Sequence, residues 1–307
     1  MIGLKKAILQ TLIYSDLFDY PLTKDEIWRF LISDEKISKQ SLEKILALHL
    51  RGVSIKKDRF YCFENREEII SKRLGKEEES DKKLELAKKI ISKLSIVPTI
   101  QFIGISGALA MKNSDKDDDI DLFVIAKKNT LWTTRLLVLF FLQMLGHRRK
   151  RTDKKFSNKI CLNMFLDESL LSLSKERQDL YTAHEVVQMI PVFERENTYG
   201  KFIESNLWVK KYLPNFKRRT NQSRTPACQS LALAGRQNHT ESIFNVVLCQ
   251  VLFPSVVEAL ARKIQLHSIK KHQTIETVSD TLLAFHPLDY KKRILKMYNK
   301  NLKKYEI

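Results

Sequence analysis

The sequence predicts an α+β chain of several domains, on three observations. Helical periodicity dominates both ends. A short β-rich run around "PTIQFIGISG" and "IDLFVIA" interrupts it, and a densely charged helical stretch precedes that run. At 307 residues the chain exceeds what one small core needs. The expected units are an N-terminal domain over 1–64, a helical connector over 65–95, an α/β core with a short mixed sheet over 96–168, and a helical C-terminal domain over 169–307.

Each element follows from its residues. Ile8, Leu12 and Ile13 share one helical face. "DYPLTKDEIWRFL" supplies a proline turn and a capping box, Thr23 with Glu26, before a second apolar stripe. "SKQSLEKILALHLRG" reads as a third helix closed by Gly52, and "VSIKKDRFYCF" as a hairpin about a Lys-Lys-Asp turn. Three helices and a hairpin resemble a winged helix-turn-helix. That resemblance implies that Lys39, Gln40, Lys44, Lys56 and Lys57 face nucleic acid, or that the same fold serves protein contacts. The run 65–95 reads as a solvent-facing charged helix. "TLWTTRLLVLFFLQMLG" reads as a mostly buried helix and "KICLNMFL" as a further strand. From about Asp167 onward the pattern is helical, apart from the polar, aperiodic segment Lys217–Thr240, expected to be a mobile loop.

Charge bounds the partners. Lys and Arg outnumber Asp and Glu by 54 to 36, a formal +18, which favours a polyanion such as nucleic acid or nucleotide. The longest apolar block, Leu136–Leu145, is half of the roughly 20 residues a bilayer span requires, so no membrane partner is expected. The N-terminus lacks a signal peptide's apolar block. The four cysteines are widely spaced, which excludes a Cys-x-x-Cys zinc site and suits a reducing, cytoplasmic setting. Nothing in the pattern specifies an oligomeric state.

The chemistry concentrates in "DKDDDIDLFVIA". Strand alternation puts Asp119 and Asp121 on one face, about 7 Å apart at Cα, with Ile120, Leu122 and Val124 on the other. Neighbouring carboxylates repel unless a cation lies between them, and a hard ion such as Mg²⁺ or Mn²⁺ fits oxygen ligands. Upstream, "FIGISGALAMKN" is a strand–glycine–helix turn in which Ser106, Gly107 and Ala108 would bring backbone close to a phosphate. Lys112, Lys116, Lys127, Lys128, Arg135 and the run Arg148–Arg151 are candidate phosphate partners, Arg135 foremost because it opens an apolar helix.

Gly107-Ala108, ten further residues and then Asp119-Ile120-Asp121-Leu122 resemble the signature of the DNA polymerase β-like nucleotidyltransferase superfamily, over about Val97 to Leu166. More loosely, the whole layout looks like bacterial nucleotidyltransferase-domain proteins with an N-terminal winged helix. The resemblance implies transfer of a nucleoside monophosphate from an NTP to an acceptor. Asp119 and Asp121 would ligate metal, and Gly107 with nearby backbone would hold the triphosphate. Two positions depart from the pattern. Ala108 stands where Ser is frequent, with Ser106 as a partial substitute. Asn163 stands where a third carboxylate is expected, and Asn offers a carbonyl oxygen but cannot take a proton. Asp167 shares its parity but lies about 13 Å further along. The alternative is therefore a catalytically weakened fold serving as a nucleic-acid-binding or regulatory module. Arg262 and His267 fit the Arg-x4-His pattern of HEPN-type ribonucleases, a minor alternative. His184, Tyr181, Trp208, Tyr212 and Phe216 are expected to pack in the core.

Overall fold

Local signals shape the N-terminal part. The computed structural model describes residues 2–48, 54–150, 153, 155–219, 254–270, 277–285 and 288–305. It begins with α1 (Ile2–Asp16), β1 (Leu22–Thr23), α2 (Lys24–Arg29), α3 (Lys39–Leu48), β2 (Ser54–Lys57) and β3 (Phe60–Phe63). The Thr23–Glu26 capping box forms reciprocally at the start of α2. Ile8, Leu12 and Ile13 are buried together, and the three strands pair antiparallel in the order β1-β3-β2. Gln40, Lys44, Lys56 and Lys57 are exposed, while exposed Lys39 pairs with Asp25 at 2.7 Å. Gly52 and residues 220–240 lie outside the described residues.

The charged run forms α4 (Glu68–Leu94), but it does not face solvent all round. Ile69, Ile70, Leu84, Ala87, Ile90, Ile91 and Leu94 are buried along one stripe, and Arg73 and Lys83 are buried within it. Two buried cations in the apolar stripe made the helix read as polar. Arg73 binds Glu26 at 2.7 and 2.9 Å and Glu77 at 3.0 Å, with its guanidinium 4.0 Å from the Tyr20 ring centroid, tying α4 to α2.

Six strands form the main sheet, in the order β7-β4-β5-β6-β9-β8. They are β4 (Ile100–Ile105), β5 (Ile120–Ala126), β6 (Ile160–Asp167), β7 (Ile190–Glu194), β8 (Thr277–Val278) and β9 (Leu282–Ala284). Strands β5 and β6 are parallel, joined by α6 (Leu131–Met144), and the other pairs are antiparallel. Three of the six strands lie beyond residue 168, so the C-terminal segment is not purely helical. These strands are only two to five residues long, too short to show a period.

The sheet is covered on both faces. Ile120, Leu122 and Val124 pack with α4, α6 and α9 (Pro254–Lys270). Phe123 and Ile125 face the other way, toward α7 (Leu180–Gln188) and α8 (Thr198–Ser205). The short helix α5 (Gly107–Ala110) follows β4. Helix α10 (Leu288–Lys304) returns to α1, so Ile294 and Tyr298 share a cluster with Ile8, Leu12 and Tyr181. Helix α6 is buried on one side only, with Leu136, Phe140 and Met144 forming an exposed outer row. No helix among the described residues is long and apolar enough to cross a membrane.

Candidate active site

Asp119 and Asp121 stand at the entrance of β5, and the turn before them is pinned from below. The buried Lys83 ammonium donates to the carbonyls of Asp115 and Asp118 at 2.5 and 2.6 Å, with Ser114 Oγ at 3.4 Å. Lys76 pairs with the Asp115 carboxylate at 2.9 Å, and Asp118 accepts from the Asp115 amide at 2.7 Å. An acidic loop in a basic protein is thereby held by two lysines of α4. Nothing in the loop itself announces Lys83, which lies more than thirty residues upstream.

Gly107 closes the other side. Its φ is +65°, and a Cβ there would stand 2.5 Å from Asp121 Oδ2, so both the left-handed backbone and the close approach require glycine. The Ser106 amide donates to the Asp121 carbonyl at 3.0 Å and locks the turn to the strand. Gly107→Ala is therefore expected to destabilise the fold by about 1–2 kcal/mol through its backbone conformation. It should also push the Asp121 carboxylate aside, weakening Mn²⁺ uptake at least ~10-fold, a loss of about 1.4 kcal/mol or more. Unchanged melting and unchanged uptake would refute this assignment.

The residue of β6 beside the two carboxylates is Cys161, with Asn163 two positions further along. Parallel pairing sets Cys161 directly beside Asp121, and ligand atoms of Asp119, Asp121 and Cys161 lie within 4.8 Å of one another. Leu162 pairs with Leu122 and Met164 with Phe123, so Asn163 is the extra residue of a bulge. Its Nδ2 is 3.5 Å from Ser106 Oγ, its Oδ1 is buried without a hydrogen-bond partner, and it lines a cavity of about 70 Å³ together with Ser106, Tyr181 and Glu185. Asp167 is buried at the far end of β6, where it accepts from the Asn129 and Ser169 amides. Arg135 is also remote. Its guanidinium binds Gln265 of α9 at 2.6 Å and lies over the Phe285 ring, because α6 starts from the opposite end of β5. Of the basic run, Arg149 reaches the site. It donates to the Asp119 carboxylate and stacks 4.4 Å from the Phe156 ring centroid.

Electrostatics match this crowding. Burial, then the Asp119 charge, pushes Asp121 up to about 7, against a smaller opposing effect of the Cys161 thiol and Arg149. Although Asp121 retains some exposed surface, protein surrounds the carboxyl on most sides. Burial, reinforced by Asp121 and Asp119, pushes the Cys161 thiol up, so it stays protonated as a weak donor. Burial is the largest influence on Arg149 and opposes its charge, but Asp119 and Cys161 together outweigh it and raise the guanidinium. Two carboxylates suit a hard cation such as Mg²⁺ or Mn²⁺; a neutral thiol adds little to either.

A cavity of about 350 Å³ opens from Gly107 and Asp121 between α1 and α7. Tyr14, Phe18, Tyr181 and Tyr290 give it aromatic walls. Glu185 of α7 also lines it, and burial pushes this carboxyl up to about 7 although the Gly107 amide hydrogen bonds to it. Sequence reasoning missed Glu185 because it lies in an amphipathic helix with no motif around it. His184 is packed as expected. It stacks on Tyr14 with centroids 4.1 Å apart, and burial drives it down to about 3. Arg262 and His267 are exposed on α9, with Arg262 held by Asp280 at 2.5 Å; five residues apart on a helix, they do not converge. No family model, curated protein or solved structure matches the chain.

Proposed function

We propose that the chain is a metal-dependent nucleotidyltransferase of the DNA polymerase β-like kind, moving an NMP group from an NTP to an acceptor. The observation that carries this reading is the convergence of Asp119 and Asp121 on a strand end that Gly107 closes. Asp119 and Asp121 would hold Mg²⁺ or Mn²⁺. Such an ion, when bound, offsets negative charge on the transferring phosphate.

The protein's own groups do the rest. The aromatic-walled cavity takes the flat part of the nucleotide and excludes water from it. An acceptor oxygen bonds to the α-phosphorus as the bond to the pyrophosphate oxygen breaks, and the acceptor's proton passes to Glu185. A carboxyl poised near neutrality is suited to that task, which Asn163 cannot perform. Helices α1–α3 with the three-stranded sheet serve as a winged helix that brings nucleic acid to the core, through Gln40, Lys44, Lys56 and Lys57.

Two features favour a second reading, a weakened fold kept as a binding or regulatory module. The Arg149 guanidinium already neutralises Asp119, and neither Cys161 beside Asp121 nor Asn163 further along β6 supplies a third carboxylate. Incubation with Mn²⁺ and NTP labelled at either the α- or the γ-phosphate separates the two. The first reading predicts α-label on a polynucleotide, protein or small-molecule acceptor, with pyrophosphate released. Absence of transfer from every NTP, or transfer of γ-label, would reject it.

A further inference from the structure

A second cavity of about 350 Å³ lies behind the first, sharing Tyr20, Phe30 and Met111 with its wall. Arg29, Arg73, Lys112 and Arg219 line it, together with Asp25 and Glu26. Both carboxylates are already committed. Glu26 is held by Arg73, by Tyr20 at 2.8 Å and by the Thr23 amide at 2.8 Å, and Asp25 pairs with Lys39. Lys112 pairs with Asp81 at 2.7 Å.

Arg29 and Arg219 differ from these. Arg29 donates to the Val187 carbonyl at 3.3 Å, and its Nε is buried without a hydrogen-bond partner. Neither arginine makes an ion pair among the described residues, and Arg219 makes no side-chain hydrogen bond there. Each is held half-buried, and burial lowers both below the ordinary arginine range. Arg29 falls to about 10, with the Arg219 charge adding to the effect of burial. Two guanidinium groups that repel one another across a cavity, with the nearby carboxylates spoken for, form a site short of about two negative charges.

We propose that this cavity binds a small phosphorylated molecule, with Arg29 and Arg219 clamping its phosphoryl group. A phosphate monoester carries about −1.5 to −2 charges and three acceptor oxygens, matching two planar donor forks. The space would hold on the order of ten water molecules, more than one inorganic phosphate fills and enough for a pyrophosphate or nucleotide. A cavity walled by Tyr20, Phe30 and Met111 favours a compact ligand over a polymer backbone. The site stands on its own residues and does not depend on transfer chemistry at Asp121.

Isothermal titration of the full chain in metal-free, low-salt buffer tests this, with pyrophosphate, ATP and a single-stranded oligonucleotide as separate probes. Saturable binding of pyrophosphate or ATP is expected. It should weaken at least ~10-fold in Arg219→Gln and in Arg29→Gln, each with wild-type melting, and persist in Asp121→Ala. Persistence in Asp121→Ala keeps this outcome separate from the fate of the transferase reading. Binding of the oligonucleotide alone, no binding of either small probe, equal binding by both arginine variants, or loss in Asp121→Ala would overturn it.

Discussion

Asp121→Asn is expected to reduce α-label transfer by at least ~10²-fold while leaving the fold intact or firmer. The asparagine keeps the shape of the side chain but removes the charge that would hold a cation against phosphate, and losing one such electrostatic contact commonly costs 10²–10³-fold. Stability should move the other way, and the sign follows from the carboxyl's shift. In the folded chain Asp121 holds its proton up to about pH 7, whereas an unfolded aspartate releases it near 3.8. Between those values the folded state binds more protons, so stability falls as pH rises through the window. Removing the group should raise the melting temperature at pH 8, by about 2–4 °C for each 1 kcal/mol recovered, and change it little at pH 4. A variant that melts lower at pH 8 would show that the carboxylate serves the fold, and the assignment of Asp121 to a ligand site would fail.

Lys83→Met is expected to have the largest structural effect, destabilising the protein by about 2–4 kcal/mol. Its ammonium lies inside α4's buried stripe and reaches two backbone carbonyls of the aspartate turn. Burial pulls its pKa down, with Asp118, Glu79 and Asp119 opposing. Methionine would fill similar volume but leave the Asp118 carbonyl without the ammonium and the Asp115 carbonyl with only the Asp118 amide at 3.1 Å and the Ser114 hydroxyl at 3.4 Å. The turn carrying Asp119 would loosen, so Mn²⁺ uptake should fall together with the urea midpoint. An unfolding free energy within about 0.5 kcal/mol of wild type would mean that the turn holds itself, contrary to the contacts described.

What could be read in advance was what depends on near neighbours. The Thr23–Glu26 box is encoded within four residues, and the alternation of Asp119, Ile120, Asp121 and Leu122 gives the facing of β5 directly. Gly107 was legible for the same reason, although its contact with Asp121 was not. What escaped is set by register and distance. Which residue stands beside Asp121 depends on how β6 slides against β5, and the observed register sets Cys161 there, two residues before Asn163. Lys83 and Glu185 reach the site from helices far away in sequence, where each looks like an ordinary surface charge. Arg135 misled because the start of α6 is near Asp121 in sequence order but at the other end of the strand in space.

The most direct test of the central claim, that Asp119 and Asp121 together grip a divalent cation, is a Mn²⁺ titration followed by electron paramagnetic resonance at pH 8 and pH 6. One ion per chain is expected at pH 8. Affinity should be roughly tenfold weaker at pH 6, where Asp121 is largely protonated, and binding should be lost in Asp121→Asn. No uptake at pH 8, or uptake that survives both the acid and the substitution, would contradict it.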